Sequence, residues 1–409
     1  MGISLRRWLS ISFFNLLIVA SLGIILRYKI AFYFPYLQQK FILHSHSHFA
    51  FAGWITQTLM VLLVNYLSTN IGDQAFKKYN WLLYANLFTA YGMLISFIFE
   101  GYAPLSIIFS TLSIFVSYFF AVYYWKDLNR LKEKKVSHLW FKASLFFSVI
   151  SSIGAFGLAY MMANKISQQN WYLSAIYFFL HFQYNGWFLF AGMGLLVSKL
   201  EVLQQVVSNL RNSFYLFLFA CIPAYFLSVL WLPIPRSVFY IIVMAVIMQL
   251  AAWVILVKLF ISNQLFIKKE FSKFGRFLLS LAAVAFTIKL LLQSGSVHPA
   301  LSLLSYGFRP IIIGYLHLVL LAVTSIFMVG YIVSFNLITV NKSVVTGTYI
   351  FVGGIIFNEI LLMIQGIGAL FYTSIPAINT FLLIAAGILF AGIATIFSGG
   401  ILKKKNIKI

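Results

Sequence analysis

Three histidines, His44, His46 and His48, stand within five residues at the start of a long apolar run that continues to Leu67. An apolar run of this length can cross a bilayer. Imidazoles are costly in hydrocarbon unless a partner binds them, so the spacing indicates a ligand such as a metal ion or a haem iron. The alternative is a polar cap at the membrane surface, solvated by lipid headgroups, and this stretch alone does not separate the two.

The composition of the chain indicates the class of protein that contains these histidines. The chain has 409 residues, of which 62% are hydrophobic and 9% are charged. This is typical of a polytopic α-helical membrane protein, and we expect a single transmembrane domain over residues 1–409. The first apolar run is too long for a cleaved signal peptide and is predicted to be the first span. The single cysteine, Cys221, excludes an internal disulfide and a thiolate metal cluster.

Apolar runs of about twenty residues predict twelve transmembrane helices. They are placed roughly at residues 8–27, 46–68, 80–101, 103–125, 139–163, 171–198, 213–232, 237–261, 277–294, 308–334, 346–371 and 375–402.

The basic residues predict the orientation of these helices. With the N-terminus inside, the outer segments hold only six of them. These are Arg27, Lys29, Lys40, Lys165, Arg236 and Arg309. Apart from Lys289, which lies within helix 9, the other basic residues lie in or beside the inner segments. The bias predicts twelve spans, both termini in the cytoplasm, and a multi-pass protein of the inner (cytoplasmic) membrane. The formal charge of +22 therefore orients the chain and does not indicate nucleic-acid binding.

Histidines fall on predicted helices 2, 6 and 10 at similar depths. His48 lies eight residues past Lys40 and His317 eight past Arg309, which is roughly 12 Å along a helix. His181 lies roughly 15 Å into helix 6. Each histidine alone could be a polar packing residue, hydrogen-bonded to Tyr or Ser. The agreement in depth favours a bound cofactor for the set.

The spacing favours haem over a compact metal site. Two axial imidazoles on opposite helices can hold an iron porphyrin, and its apolar body suits a helix bundle. Gly53, Gly186 and Gly314 would let a flat ring approach the backbone of helices 2, 6 and 10. Arg309 is a candidate to bind the haem propionates at the outer surface.

Twelve helices with histidines on helices 2, 6 and 10 resemble subunit I of the haem-copper oxidases and nitric oxide reductases. Helix 2 reads H-S-H-F-A-F-A-G-W and helix 10 reads G-Y-L-H-L. The resemblance implies that His48 and His317 are the axial ligands of a low-spin haem b. Helix 6 reads H-F-Q-Y-N-G-W, in which His181 matches the family's ligand to copper or non-haem iron. A shift of one helical turn would put His44 in place of His48.

The sequence also departs from the family pattern. Tyr315 stands where the ligand of the high-spin haem would be, and residues 213–262 contain no histidine. Tyr184 is one residue short of the family's cross-linked tyrosine spacing. These departures imply an oxidoreductase-like homologue without an intact binuclear centre, which works in electron transfer or in redox or gas sensing instead of oxygen reduction. Copper or non-haem iron at His44, His46 and His181 stays open as a second site.

Two further functions stay open on the sequence alone. The His44–His48 stretch could be the outer capture site of a metal-ion or small-solute transporter. Lys289 and Glu359 would then line a path, or would form a structural ion pair between helices. The third reading is a structural subunit of a respiratory complex. The expected partners are the lipid bilayer and respiratory-chain subunits or a cytochrome, with no nucleic acid.

Overall fold

The computed structural model describes residues 4–72, 74–298, 301–302 and 308–400. Within these residues the fold is all-helical, with 87% of positions in helices and no strand. The predicted fold class is confirmed at this level. The physical reason is that a helix satisfies its backbone hydrogen bonds internally, which a lipid environment requires.

Twelve long helices and one short helix, Gln264–Glu270, are formed by the described residues. The long helices are α1 (Leu5–Ala31), α2 (Gln39–Ile71), α3 (Gln74–Glu100), α4 (Pro104–Arg130), α5 (Val136–Ala163), α6 (169–200), α7 (Gln204–Val229), α8 (Arg236–Ser262), α9 (Lys273–Gly295), α10 (Arg309–Ser334), α11 (Lys342–Leu370) and α12 (Ile378–Gly400).

Eleven of these helices, all except α6, are long and apolar enough to cross a membrane. The centre of α6 carries His181, Gln183 and Asn185, and these polar side chains lower its hydropathy. A multi-pass membrane protein is therefore supported. The count of twelve spans and the cytoplasmic position of both termini stay predictions, and residues 401–409 lie outside the described residues.

Most helices extend a few residues beyond the apolar runs that predicted them. The predicted start of helix 2 at residue 46 is wrong, because α2 begins at Gln39 and places His44, His46 and His48 inside the helix. Hydropathy marks only the part of a helix that suits hydrocarbon, whereas its hydrogen bonds continue into the membrane interface. The breaks predicted near Gly101 and Trp231 are confirmed as non-helical residues.

Contacts group the chain into two compact units that interleave in sequence. Unit 1 comprises Met1–Phe119, Ser272–Leu281 and Ser325–Ile409. In this unit α11 packs along α12, and α1 packs on both α12 and α2. Unit 2 comprises Phe120–Phe271 and Ala282–Thr324. In this unit α5 packs on α6, and α7 packs on α8.

Three helices change to π-helical geometry in their middle. The π segments are Ala50–Thr56 in α2, Phe182–Phe188 in α6 and Leu318–Ser325 in α10. The π segment begins two residues after His48 in α2. It begins directly after His181 in α6 and directly after His317 in α10. A π turn is rare and often marks a functional site. The three helices that were singled out by their histidines therefore share a local backbone feature as well.

Candidate functional site

A chain of hydrogen bonds between buried polar groups runs through unit 2. His181 is 1% exposed, and its Nε2 lies 2.8 Å from the carbonyl oxygen of Cys221. The side-chain Nδ2 of Asn185 lies 3.1 Å from His181 Nδ1. On its other side, Asn185 Oδ1 accepts from Lys289 Nζ at 2.6 Å. Lys289 also donates to Gln293 Oε1 at 2.5 Å.

The carbonyl that His181 binds is made available by an interruption of α7. The α-helical part of α7 ends at Cys221, and a 3-10 segment begins at Pro223. The amide of Tyr225 bonds the carbonyl of Ile222 instead of continuing the α-helical pattern. Polar side chains of neighbouring helices commonly satisfy backbone groups that a proline frees inside a membrane. His181 has this role at the break in α7.

Lys289 is the most unusual member of the chain. It lies in the middle of α9 and is 2% exposed, and both of its hydrogen-bond acceptors are neutral amide oxygens. Its Nζ also lies 5.5 Å from the ring centroid of Phe286. A buried ammonium is costly without a compensating charge. An ionisable group held at this cost within the bundle is a candidate for function.

Two tyrosines from the sequence analysis meet beside this chain. The rings of Tyr184 and Tyr315 lie 6.2 Å apart in an edge-on arrangement. The rings of His181 and Tyr184 lie 6.4 Å apart. Unit 2 therefore brings together four predicted candidates, namely His181, Tyr184, Tyr315 and Lys289.

The three histidines of α2 do not share one face of the helix in unit 1. His48 stacks on Phe97 at 4.3 Å, and His44 packs against Tyr102 at 4.6 Å. His46 instead reaches α1, where its Nδ1 lies 3.1 Å from the carbonyl oxygen of Val19. Residues two apart on a helix point in nearly opposite directions. The stretch therefore does not form a single capture site for a metal ion.

His48 Nε2 lies 2.9 Å from the hydroxyl of Tyr102. Tyr102 stands in the link between α3 and α4, and burial raises the pKa of its phenol. The phenol is therefore protonated and can hydrogen-bond the imidazole. Nε2 of His48 therefore already has a hydrogen-bond partner, whereas the buried Nε2 of His44 has none.

His317 lies in unit 2 at the end of the α-helical part of α10. Its Nδ1 lies 2.8 Å from the carbonyl oxygen of Ile313. A carbonyl only accepts, so Nδ1 carries the proton and the lone pair of the neutral ring lies on Nε2. This is the tautomer of an axial ligand whose second nitrogen is held by the protein. Arg309 is the first residue of α10 and is exposed.

The residues fit a haem ligand at some positions but not at others. His317 and His46 have the ligand tautomer, since both bond a backbone carbonyl through Nδ1. His181 does not fit a metal ligand, because both of its ring nitrogens are hydrogen-bonded within the chain. In the described part of the chain, no group of three or more His, Cys, Asp or Glu side chains could hold a metal ion.

Protein side chains fill the space beside two of the glycines that were expected to admit a flat cofactor. A Cβ added at Gly53 would lie 2.7 Å from the ring of Phe49, and one added at Gly186 would overlap Phe147. The expectation for these two positions is therefore wrong. Small residues serve here to admit aromatic rings of the chain itself.

Lys289 and Glu359 each have an amide partner within their own unit. Lys289 donates to Asn185 Oδ1, and Asn358 Nδ2 lies 3.2 Å from Glu359 Oε1. An ion pair between the two residues stays a prediction. His138 lies in the first turn of α5 and is 4% exposed.

Sequence reasoning missed Asn185 and Gln293, which link the titratable groups of unit 2. Both are amides within long helices, and polar residues at such positions usually find partners. That rule could have identified them as candidates. Their partners are distant in sequence, so only the packing of α6 on α9 assigns Asn185 to Lys289.

Comparison with known proteins does not assign this site. No protein-family model matches the chain, and no curated protein matches it at significant similarity.

Proposed function

We propose that this protein is a membrane-integral haem b protein related to subunit I of the haem-copper oxidases. It would act in electron transfer or in redox or gas sensing. The observation that carries the proposal is the hydrogen bond from His317 Nδ1 to Ile313, which leaves the lone pair on the nitrogen that binds iron. The π segments that follow His48, His181 and His317 support a functional role for these positions.

The sequence resemblance implies a further haem ligand on α2. The buried Nε2 of His44 has no hydrogen-bond partner, whereas His48 Nε2 bonds Tyr102. We therefore favour His44 over His48 as the α2 residue that the resemblance implies. Arg309 would neutralise a propionate. When bound, the haem would supply one-electron chemistry, and the chain would set its coordination and exclude water.

A reduced-minus-oxidised visible spectrum of the purified protein, made in haem-replete cells, tests the proposal. The expected result is a sharp α band of a low-spin b-type haem that is lost in His317→Ala. His181→Ala is the matched control and should keep the band. Single substitutions of His44, His46 and His48 then identify the α2 ligand. A featureless spectrum, or a band unchanged in His317→Ala, would contradict the proposal.

A transporter of small solutes or metal ions is the second candidate. The observation that favours it is the interruption of α7 beside the buried Lys289. Discontinuous membrane helices with an ionisable group at the break are typical of substrate sites in transporters. The path would then lie in unit 2, and the His44–His48 stretch would be incidental.

Flux assays in proteoliposomes test this second candidate. Uptake of divalent metal ions, or of amino acids and sugars, should exceed that of protein-free vesicles and fall in Lys289→Met. Triple substitution of His44, His46 and His48 by Ala is the control, and it should leave the flux unchanged. No flux above protein-free vesicles would contradict transport of these solutes.

A further inference from the structure

With a charged Lys289, the hydrogen-bond chain of unit 2 has one consistent assignment of protons around His181. The carbonyl of Cys221 can only accept, so His181 Nε2 carries a hydrogen. The oxygen of the Asn185 amide must face the Lys289 ammonium, and its NH2 group therefore faces His181. Consequently Nδ1 of His181 holds a lone pair. In this arrangement Lys289 is charged and His181 is neutral.

A second arrangement satisfies the same groups with the proton at the other end. If His181 is protonated at Nδ1, this nitrogen becomes a donor and opposes the NH2 group of Asn185. A rotation of the amide by half a turn removes the clash and presents its oxygen to His181. The NH2 group then faces Lys289, which can accept only as a neutral amine with a lone pair.

We propose that Lys289, Asn185 and His181 form a buried proton-binding site that holds one proton, on either Lys289 or His181. The orientation of the Asn185 amide differs between the two states. In passing from one state to the other, an N–H bond of Lys289 breaks and an N–H bond of His181 forms. The net charge of the site is unchanged, and no oxidant or reductant takes part.

The same hydrogen-bonding argument disfavours a state in which Lys289 and His181 are both protonated. With both ends protonated, one end must face the NH2 group of the amide, which leaves two donors opposed in a buried site. Such a contact leaves a buried charged donor without its hydrogen bond, which disfavours the doubly protonated state. The ammonium also has no carboxylate among its hydrogen-bond acceptors to favour extra positive charge.

Other titratable groups face the site from each packed helix. The Cys221 thiol of α7 lies 3.8 Å from the backbone oxygen of Asn185. Tyr225 of α7 and Tyr184 of α6 lie against the His181 ring, and the ring of Tyr315 of α10 contacts that of Tyr184. The thiol and the three phenols are uncharged when they are protonated. None of them supplies the negative charge that a second proton would require.

Nitrogen NMR of histidine-labelled full-length protein in lipid nanodiscs tests the proposal directly. The 15N shifts distinguish the two neutral tautomers from the imidazolium. The His181 signal is assigned by its loss in His181→Gln. At about pH 7 and about pH 5 the wild-type ring should remain neutral, with its hydrogen on Nε2, because Lys289 holds the proton.

Two independent substitutions should change this state in predictable ways. Asn185→Asp supplies an acceptor to both ends, so the His181 signal should become that of an imidazolium at about pH 7. Lys289→Met removes the competing cation, so His181 should become protonated at about pH 5 while the wild type does not. Asn358→Asp, the same change at a buried position of unit 1, should leave the His181 signal unchanged.

Several outcomes would overturn the proposal. One is a wild-type His181 that is an imidazolium at about pH 7, and another is a neutral wild-type ring with its hydrogen on Nδ1. A third is a His181 signal that neither substitution alters. If one variant fails to fold, the other decides, since each predicts the imidazolium for a different reason. The test does not depend on the haem, because it reads only the protonation of His181.

Discussion

The segments 48–54 of α2 and 181–187 of α6 share the pattern H-F-x-x-x-G-W but surround it differently. In α2 the π segment begins after the shared phenylalanine, and in α6 it begins at that phenylalanine. In unit 1 the position before the glycine is Ala52, whose carbonyl accepts from an asparagine of α3. In unit 2 it is Asn185, whose side chain joins a histidine to a lysine.

The two histidines of the pattern differ accordingly. His48 is partly buried, stacks on Phe97 and bonds Tyr102 in the link that follows α3. His181 is buried, with partners on both ring nitrogens. The comparison teaches that the shared residues determine the backbone and the close packing. The variable residues between them decide whether the segment lines an apolar or a polar interior.

The largest expected effect comes from replacing Asn185 of α6 by alanine, the residue that α2 has at the position before the shared glycine. Asn185→Ala should lower the free energy of unfolding by about 3 kcal/mol, because Lys289 and His181 both lose a buried hydrogen bond. Thermal unfolding in detergent measures it. Gln183→Ala is the matched control, since this residue donates only to the hydroxyl of Ser151. Equal losses in the two variants would remove the distinction between the segments.

The shared glycine provides the next test. Gly186→Ala should cost about 2 kcal/mol more than Gly53→Ala. The new methyl group in α6 would overlap the Cβ of Phe147, whereas in α2 it would meet only the outer ring atoms of Phe49. Melting temperatures in detergent compare the two variants. Gly157→Ala, where an added Cβ has nothing within 4 Å, should be neutral or stabilising. Equal costs for the two shared glycines would contradict the packing difference.

The shared histidine should give a smaller but still unequal effect. His181→Phe should lower the free energy of unfolding by about 2 kcal/mol, because it leaves the carbonyl of Cys221 buried without its donor. His48→Phe should cost less than about 1 kcal/mol, since its partner Tyr102 lies in a link between helices. Chemical unfolding in mixed micelles measures both. A larger loss for His48→Phe would reverse the comparison.

The shared tryptophan should give the smallest effect. Trp54 donates from Nε1 to the hydroxyl of Ser325 at 2.9 Å within unit 1. Trp54→Phe should therefore cost about 1 kcal/mol. Ser325→Ala combined with it should add little further, because both changes remove the same bond. A fully additive double variant would show that this hydrogen bond contributes nothing.

Much of the fold was predictable because hydrophobicity acts locally along the chain. Apolar runs marked all the long helices, and prolines and glycines marked the breaks near Gly101 and Trp231. The start of α2 was not predictable from hydropathy, since Gln39 and Lys40 extend a helix without adding apolar character. The π segments and the interruption of α7 depend on hydrogen bonds between helices, which periodicity does not encode.

The sequence by itself determined the class of protein and its long helices, and it supplied candidates for binding a cofactor. It identified His181, Tyr184, Tyr315 and Lys289 as separate candidates. Only the tertiary structure decided that these four share one unit, and that His44 and His46 point to different helices. The physical reason is that burial depends on residue type, whereas a hydrogen-bond partner depends on which helices pack together.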